Sequence, residues 1–215
     1  MKILALSCLI FIGINNSMLF GQDQLRLGPN VGLFILNSDN FKSVTNSNNF
    51  IFYYGFDASY TKENWFNKTI QLDYSFLYSK IIAPKNEVRD QIGIITGDAN
   101  VDLEQQFNTI DIFTMKRWKS NFHFGYGPSF SIVSRSVLFD YLDFRDRLMS
   151  LNVGLSGIGF YEQIIDSKSP NHKAYIGFKL RYLYGLLYDK RGRDLSDYDQ
   201  HFLQLSLIVG YSFIF

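Results

Sequence analysis

Strict alternation of apolar and mixed side chains is the feature that most constrains this chain. In its last segment Leu203, Leu205, Leu207, Val209, Tyr211, Phe213 and Phe215 share one parity. Phe202, Gln204, Ser206, Ile208, Gly210, Ser212 and Ile214 share the other, which is smaller and more polar. Successive side chains of a strand point to opposite sides, so a period of two reads as β-structure. The same pattern sets Ile70, Leu72, Tyr74, Phe76 and Tyr78 against Gln71, Asp73, Ser75, Leu77 and Ser79. It also sets Phe52, Tyr54, Phe56, Ala58 and Tyr60 against Tyr53, Gly55, Asp57 and Ser59. Lys179 and Arg181 interleave with Phe178, Leu180 and Tyr182.

Eight such segments are expected, at 25–36, 50–60, 69–80, 106–116, 121–134, 149–162, 173–187 and 201–215. Each is near the about 9–11 residues that a tilted strand needs to cross a bilayer. The connections 37–49, 81–105, 135–148 and 188–200 are long; 61–68, 117–120 and 163–172 are shorter. Long external loops alternating with short turns mark an antiparallel outer-membrane barrel. The fold class expected is all-β: an eight-stranded antiparallel transmembrane β-barrel preceded by a cleaved signal peptide.

The two faces decide what such a barrel encloses. A soluble carrier is apolar inside, but an eight-stranded interior is only just wide enough for side chains, and the aromatic face is too bulky to fill it. The mixed face is therefore expected inside. It carries a lumen charge network of Arg26, Asp57, Asp73, Asp111, Glu162, Lys179 and Arg181, whose three cations and four anions nearly neutralise one another. Burial of these charges is tolerable only if they are paired. The apolar face is then left for lipid, with the closed sheet satisfying every backbone group. Trp65 and Trp118 fall in the first two short turns and are expected at the membrane–water interface.

The start of the chain reads as an export signal. Met1 and Lys2 precede the apolar run ILALSCLIFIGI at 3–14, followed by a more polar stretch ending at Gly21. That order is the one a secretory signal peptide follows, and the run is too short to span a bilayer. The expected organisation is 1–21 signal peptide and 22–215 outer-membrane barrel domain, cut before Gln22. Cys8 lies too close to the start to be a lipoprotein site and is removed with the signal, so no disulfide or thiol chemistry follows. With 21 basic and 20 acidic residues in the whole chain, there is no basic excess for nucleic acid.

Glycine and proline recur at Gly28 with Pro29 and at Gly127 with Pro128, where proline cannot donate to a ladder and a bulge is expected. Chemistry has few candidates. His123, His172 and His201 fall in three different segments without zinc-ligand spacing, so neither metal nor cofactor is expected. His201 lies at the external end of the last strand near Ser196, Asp197 and Asp199; a polar rim residue is the favoured reading over a Ser–His–Asp site. External loops 135–148 and 188–200 mix arginine with aspartate, the first also carrying Leu138, Phe139, Tyr141, Leu142 and Phe144, and such loops are where a partner would dock.

Between 25 and 215 the chain resembles the small outer-membrane β-barrel proteins of the PorT type, common in Bacteroidota. The resemblance rests on FNTIDI at 107–112, FGYGPS at 124–129, KLRYLYGL at 179–186, LSLIVGYSF at 205–213 and the Phe20-Gly21-Gln22 end of the signal segment. It implies an integral outer-membrane protein in contact with lipid and lipopolysaccharide. The ending, with Tyr211, Phe213 and Phe215, looks like the signal read by the barrel assembly machinery. The founding member assists type IX protein secretion, so the resemblance implies an accessory of such a complex; the function expected is a non-enzymatic envelope scaffold or surface-binding protein, or such an accessory. A lipid-modifying enzyme of the outer leaflet, resembling lipid A deacylases or acyltransferases, is the alternative, and a porin comes third.

Overall fold

The structure is a computed structural model and describes residues 23–36, 50–89, 95–118, 121–139, 144–189 and 201–215. The expected signal segment 1–21 and loop stretches 37–49 and 190–200 lie outside these residues. Eight strands follow in order: β1 Gln24–Leu36, β2 Phe50–Trp65, β3 Lys68–Arg89, β4 Ile95–Trp118, β5 Phe122–Phe139, β6 Phe144–Ile164, β7 His172–Asp189 and β8 His201–Ile214. Each pairs antiparallel with its sequence neighbours, and β8 returns to β1 to close the barrel. The closing seam runs from Gln24 opposite Ile214 to Leu36 opposite Phe202. Closure removes the sheet edges that would otherwise expose unpaired N–H and C=O groups.

Three expectations about the connections are corrected. The turn expected at 61–68 contracts to Phe66 and Asn67, both at positive φ (52° and 60°), between the paired residues Trp65 and Lys68. Two central residues at positive φ make the hairpin turn whose twist matches that of the strands. Asn64 (φ 59°) sits where the register shifts between Lys62 and Trp65. The expected loop 81–105 is largely ladder: β3 and β4 continue together until Arg89 pairs with Ile95. Loop 135–148 likewise contracts, with β5 and β6 paired out to Phe139 opposite Phe144. Antiparallel neighbours joined by a short connection keep exchanging hydrogen bonds beyond the apolar stretch of the strands. The wall is therefore taller along β3–β6 than along β1 and β8.

The bulges expected at the two prolines are absent. Pairing of β1 with β8 skips Gly28 and Pro29 and resumes at Asn30 opposite Ile208 in unchanged register. Pairing of β4 with β5 skips Pro128 in the same way, between Asp111–Ser129 and Thr114–Tyr126. Each proline lacks an N–H for one ladder, so a rung is lost without an inserted residue. The preceding glycines permit the close approach: a Cβ at Gly28 would lie 1.9 Å from the Val209 carbonyl oxygen, and one at Gly127 1.8 Å from that of Ile112.

Burial follows the period of two around the circumference. Gln204, Ser206, Ile208 and Ser212 are buried while Leu203, Leu205, Leu207, Tyr211 and Phe213 are exposed. The same outward face carries Phe52, Tyr54, Phe56, Ile110, Ile112, Phe130, Leu155, Ile176, Phe178 and Leu180, with Phe52 78% and Leu155 71% exposed. This is an apolar belt. On β3 it is bounded at one end by Lys80, paired with Glu104 of β4 at 3.6 Å. Residues 70–78 below that pair match the about 9–11 residues of a membrane-crossing strand. Asn108, a polar member of the outward face, accepts a hydrogen bond from Tyr74 Oη at 2.8 Å.

Candidate functional site: the charged lumen and its mouths

The interior is built in layers. Toward the long-loop end Phe34, Ile51, Tyr53, Leu77, Phe107, Val133, Leu183 and Phe202 form an apolar cap. Phe34 stacks on Phe107 with centroids 4.1 Å apart, and Phe202 meets Phe107 edge-on. Toward the short-turn end Phe113, Met115, Ile158, Phe160, Tyr175 and Ile208 form a second cluster. The belief that bulky aromatics belong only outside is thereby corrected. Other inward positions carry small side chains, among them Ser129, Ser131 and Ser156, which leaves volume for the rings.

All seven charges read from the sequence lie in the interior, each under 5% exposed. Between the apolar layers Lys179 Nζ donates to Asp57 Oδ2 at 2.7 Å and reaches Asp73 Oδ2 at 3.1 Å and Ser75 Oγ at 3.1 Å. Two residues along the same strand, Arg181 grips Asp111. Its Nε lies 2.9 Å and its Nη2 2.5 Å from Oδ2, and Ser129 Oγ donates to Oδ1 at 2.5 Å. Arg181 Nη2 also donates to Ser75 Oγ, and Asn30 Nδ2 to Asp57 Oδ1 at 2.9 Å. Period two places Lys179 and Arg181 of β7 inward, where they meet acids from β2, β3 and β4.

Arg26 and Glu162 lie nearer the short-turn end and do not join those pairs. Arg26 donates to Thr61 Oγ1 at 2.8 Å and to Gln71 Oε1, and its guanidinium carbon sits 3.9 Å from the Phe160 ring centre. Its Nε and Nη1 have no hydrogen-bond partner among the described residues. Arg26 lines a void of about 10 Å³ together with Asp57, Asp73 and Tyr175, close to the least volume that holds one water. Glu162 accepts from Gln24 Nε2 at 2.6 Å and pairs with Lys173 Nζ at 3.4 Å. His123 lies 3.6 Å from the same carboxylate and stacks on Phe160 at 5.0 Å.

Three participants lie outside the expected charge network. Lys173 has the inward parity of Lys179 and Arg181, so the alternation itself could have found it. His123 was classed by zinc spacing rather than by parity. Arg135, assigned to an external loop, belongs to β5, where it is 6% exposed with its guanidinium 5.0 Å from the Phe202 ring centre.

The rim residues divide between the ends. Trp65 and Trp118 close β2 and β4 at the short-turn mouth, 50% and 61% exposed. Tyr211, Phe213 and Phe215 lie outward at the same end, where Phe215 N–H donates to the Asp23 carbonyl. His172 packs there against Tyr211 and Phe213. His201 is at the opposite end, its Nδ1 2.6 Å from Tyr182 Oη and its ring beside Tyr184. Ser196, Asp197 and Asp199 lie outside the described residues. Among the described residues no group of three His, Cys, Asp or Glu is placed to hold a metal ion.

No protein-family model matches the chain, and no curated protein matches it in sequence. Solved structures similar to it include Neisserial surface protein A (NspA), 11% identical with a TM-score of 0.47 over 89% of this chain and 97% of that one. Ail, the attachment invasion locus protein of Yersinia pestis, is 12% identical with a TM-score of 0.48 over 91% of this chain and 100% of its own. A second structure of Ail, in complex with the heparin analogue sucrose octasulfate, gives 0.47 at the same identity. These likenesses concern the fold.

Proposed function

We propose that this protein is an integral outer-membrane β-barrel, exported by a signal peptide, that serves as a non-enzymatic envelope scaffold or surface-binding protein. One observation carries the reading: the closed barrel turns an apolar belt outward and a paired charge network inward. Soluble monomers rarely expose contiguous apolar patches beyond a few hundred Å², and this belt runs round all eight strands. A bilayer covers it and asks nothing of a backbone whose ladder is closed. In this reading the belt meets lipid and lipopolysaccharide, and Tyr211, Phe213 and Phe215 are offered to the assembly machinery.

Activity then belongs to the external side, where the tall β3–β6 wall and the loops present a surface to a partner. Participation in type IX secretion is the finer proposal, supported by the PorT-type resemblance alone. The alternative, an enzyme acting on lipid A, would have to use His201 Nε2 as its base, since Nδ1 is held by Tyr182. Membrane fractionation with SDS gels tests the placement: an outer-membrane band that runs faster unheated than boiled is expected, and a soluble band of fixed mobility refutes it. Mass spectrometry of lipid A from wild-type and His201→Ala cells tests the function. Identical acylation is expected; an altered pattern favours the enzyme.

A further inference from the structure

A cleft of about 380 Å³ opens at the short-turn mouth, lined by Arg117, Asn121, Glu162, Gln163, Ile164 and Lys173. It is far larger than the void in the ionic layer and falls in the range of small-molecule sites, about 300–1,000 Å³. Its shape is set by the barrel. Arg117 lies one residue before the end of β4, Glu162 and Ile164 lie in the last turn-side residues of β6, and Lys173 is the second residue of β7, opposite Ile164. The Glu162 N–H donates to the Asn121 carbonyl at 2.9 Å, fastening the β4–β5 turn to the wall.

The lining selects the chemistry of an occupant. With one aliphatic side chain among six residues, it does not suit an apolar ligand. Its single carboxylate, Glu162, is buried and already satisfied by Gln24 and Lys173. Arg117 is exposed at the opening and has no carboxylate partner among the described residues. Arg117 and Lys173 therefore outnumber the one acid, and a guanidinium fork with an ammonium is a donor set for an oxyanion. We propose that this mouth is a binding site for a phosphate-type oxyanion, held by Arg117 and Lys173. Two sources share that chemistry: a free anion, and the phosphate of an anionic phospholipid headgroup, one with no choline-type cation to compensate it, reaching over the rim beside Trp118.

The experiment uses the folded barrel in phosphatidylcholine nanodiscs, titrated with inorganic phosphate at constant ionic strength and followed by backbone amide NMR. It is repeated without phosphate in nanodiscs containing phosphatidylglycerol. Saturable shifts at Asn121, Glu162 and Lys173, weakened about tenfold (about 1.4 kcal/mol) in Arg117→Gln, are expected. Lys116→Gln, the outward neighbour, should bind like the wild type. Shifts with phosphate identify a free anion, and shifts confined to phosphatidylglycerol discs identify a headgroup; both support the site. Absence of these shifts in both arms, or binding unchanged in Arg117→Gln, overturns it. The Arg117→Gln spectrum itself reports whether the barrel remains folded. The test does not depend on which membrane the barrel occupies.

Discussion

Replacing Asp111 by leucine should be among the most damaging single changes in the lumen. Asp111 and Arg181 are both 0% exposed, joined by two nitrogens of the guanidinium, with Ser129 completing the carboxylate's bonds. Removing one partner of a buried pair leaves an uncompensated charge and costs about 3–5 kcal/mol. With a urea dependence of about 2 kcal/mol per molar, the unfolding midpoint should fall by about 2 M. Trp65 and Trp118 report unfolding from lipid vesicles by fluorescence. Arg181→Met should be similarly costly because it strands Asp111. The double variant Asp111→Leu/Arg181→Met buries no charge there and should recover most of the loss, giving a coupling of about 2–3 kcal/mol. Additive single effects, or a midpoint moved by less than about 0.5 M in Asp111→Leu, would refute the idea that this pair is a unit.

Asp57→Asn should be milder, about 1–2 kcal/mol in the same assay, because Lys179 keeps Asp73 at 3.1 Å; a cost equal to that of Asp111→Leu would mean the two acids do not share the lysine. Val209→Arg should lower stability in bilayers by about 2–4 kcal/mol, as for a lipid-facing midplane position. Ile208→Arg should be limited instead by crowding, because Ile208 is 3% exposed and lines the small void with Arg26; equal urea curves across lipids of different thickness for Val209→Arg would contradict the facing. Planar-bilayer recordings should show no steady conductance, since apolar layers lie on both sides of the ionic one; a stable channel of defined size would contradict a filled lumen.

The barrel was legible because lipid outside and charge inside impose opposite demands on alternate residues, a constraint few other folds share. That is why β8 and the inward parity of Lys179 and Arg181 could be read directly. The turn at Phe66 and Asn67 was not, because it lacks the Asn-Gly or Asp-Gly pair that announces positive φ at both positions. The extension of β3 and β4 was missed because beyond the bilayer the alternation dissolves into polar and charged residues, while backbone pairing continues regardless. Pro29 and Pro128 misled because a lost ladder rung and a bulge begin from the same missing N–H. The inward aromatics Phe34, Phe107 and Phe113 look like lipid-facing ones in sequence, and only parity counted from a charged neighbour such as Asp111 tells them apart. The cleft at the short-turn mouth joins the ends of three strands, and no local motif marks it.

Spin labels placed singly at 204–209 of β8, with the protein in bilayers, test the central claim most directly. Collision with oxygen dissolved in the lipid should be high at Leu205, Leu207 and Val209 and low at Gln204, Ser206 and Ile208, in strict alternation. An inverted alternation, or uniform access at all six positions, would contradict a barrel that faces lipid with its aromatic side and seals its charges within.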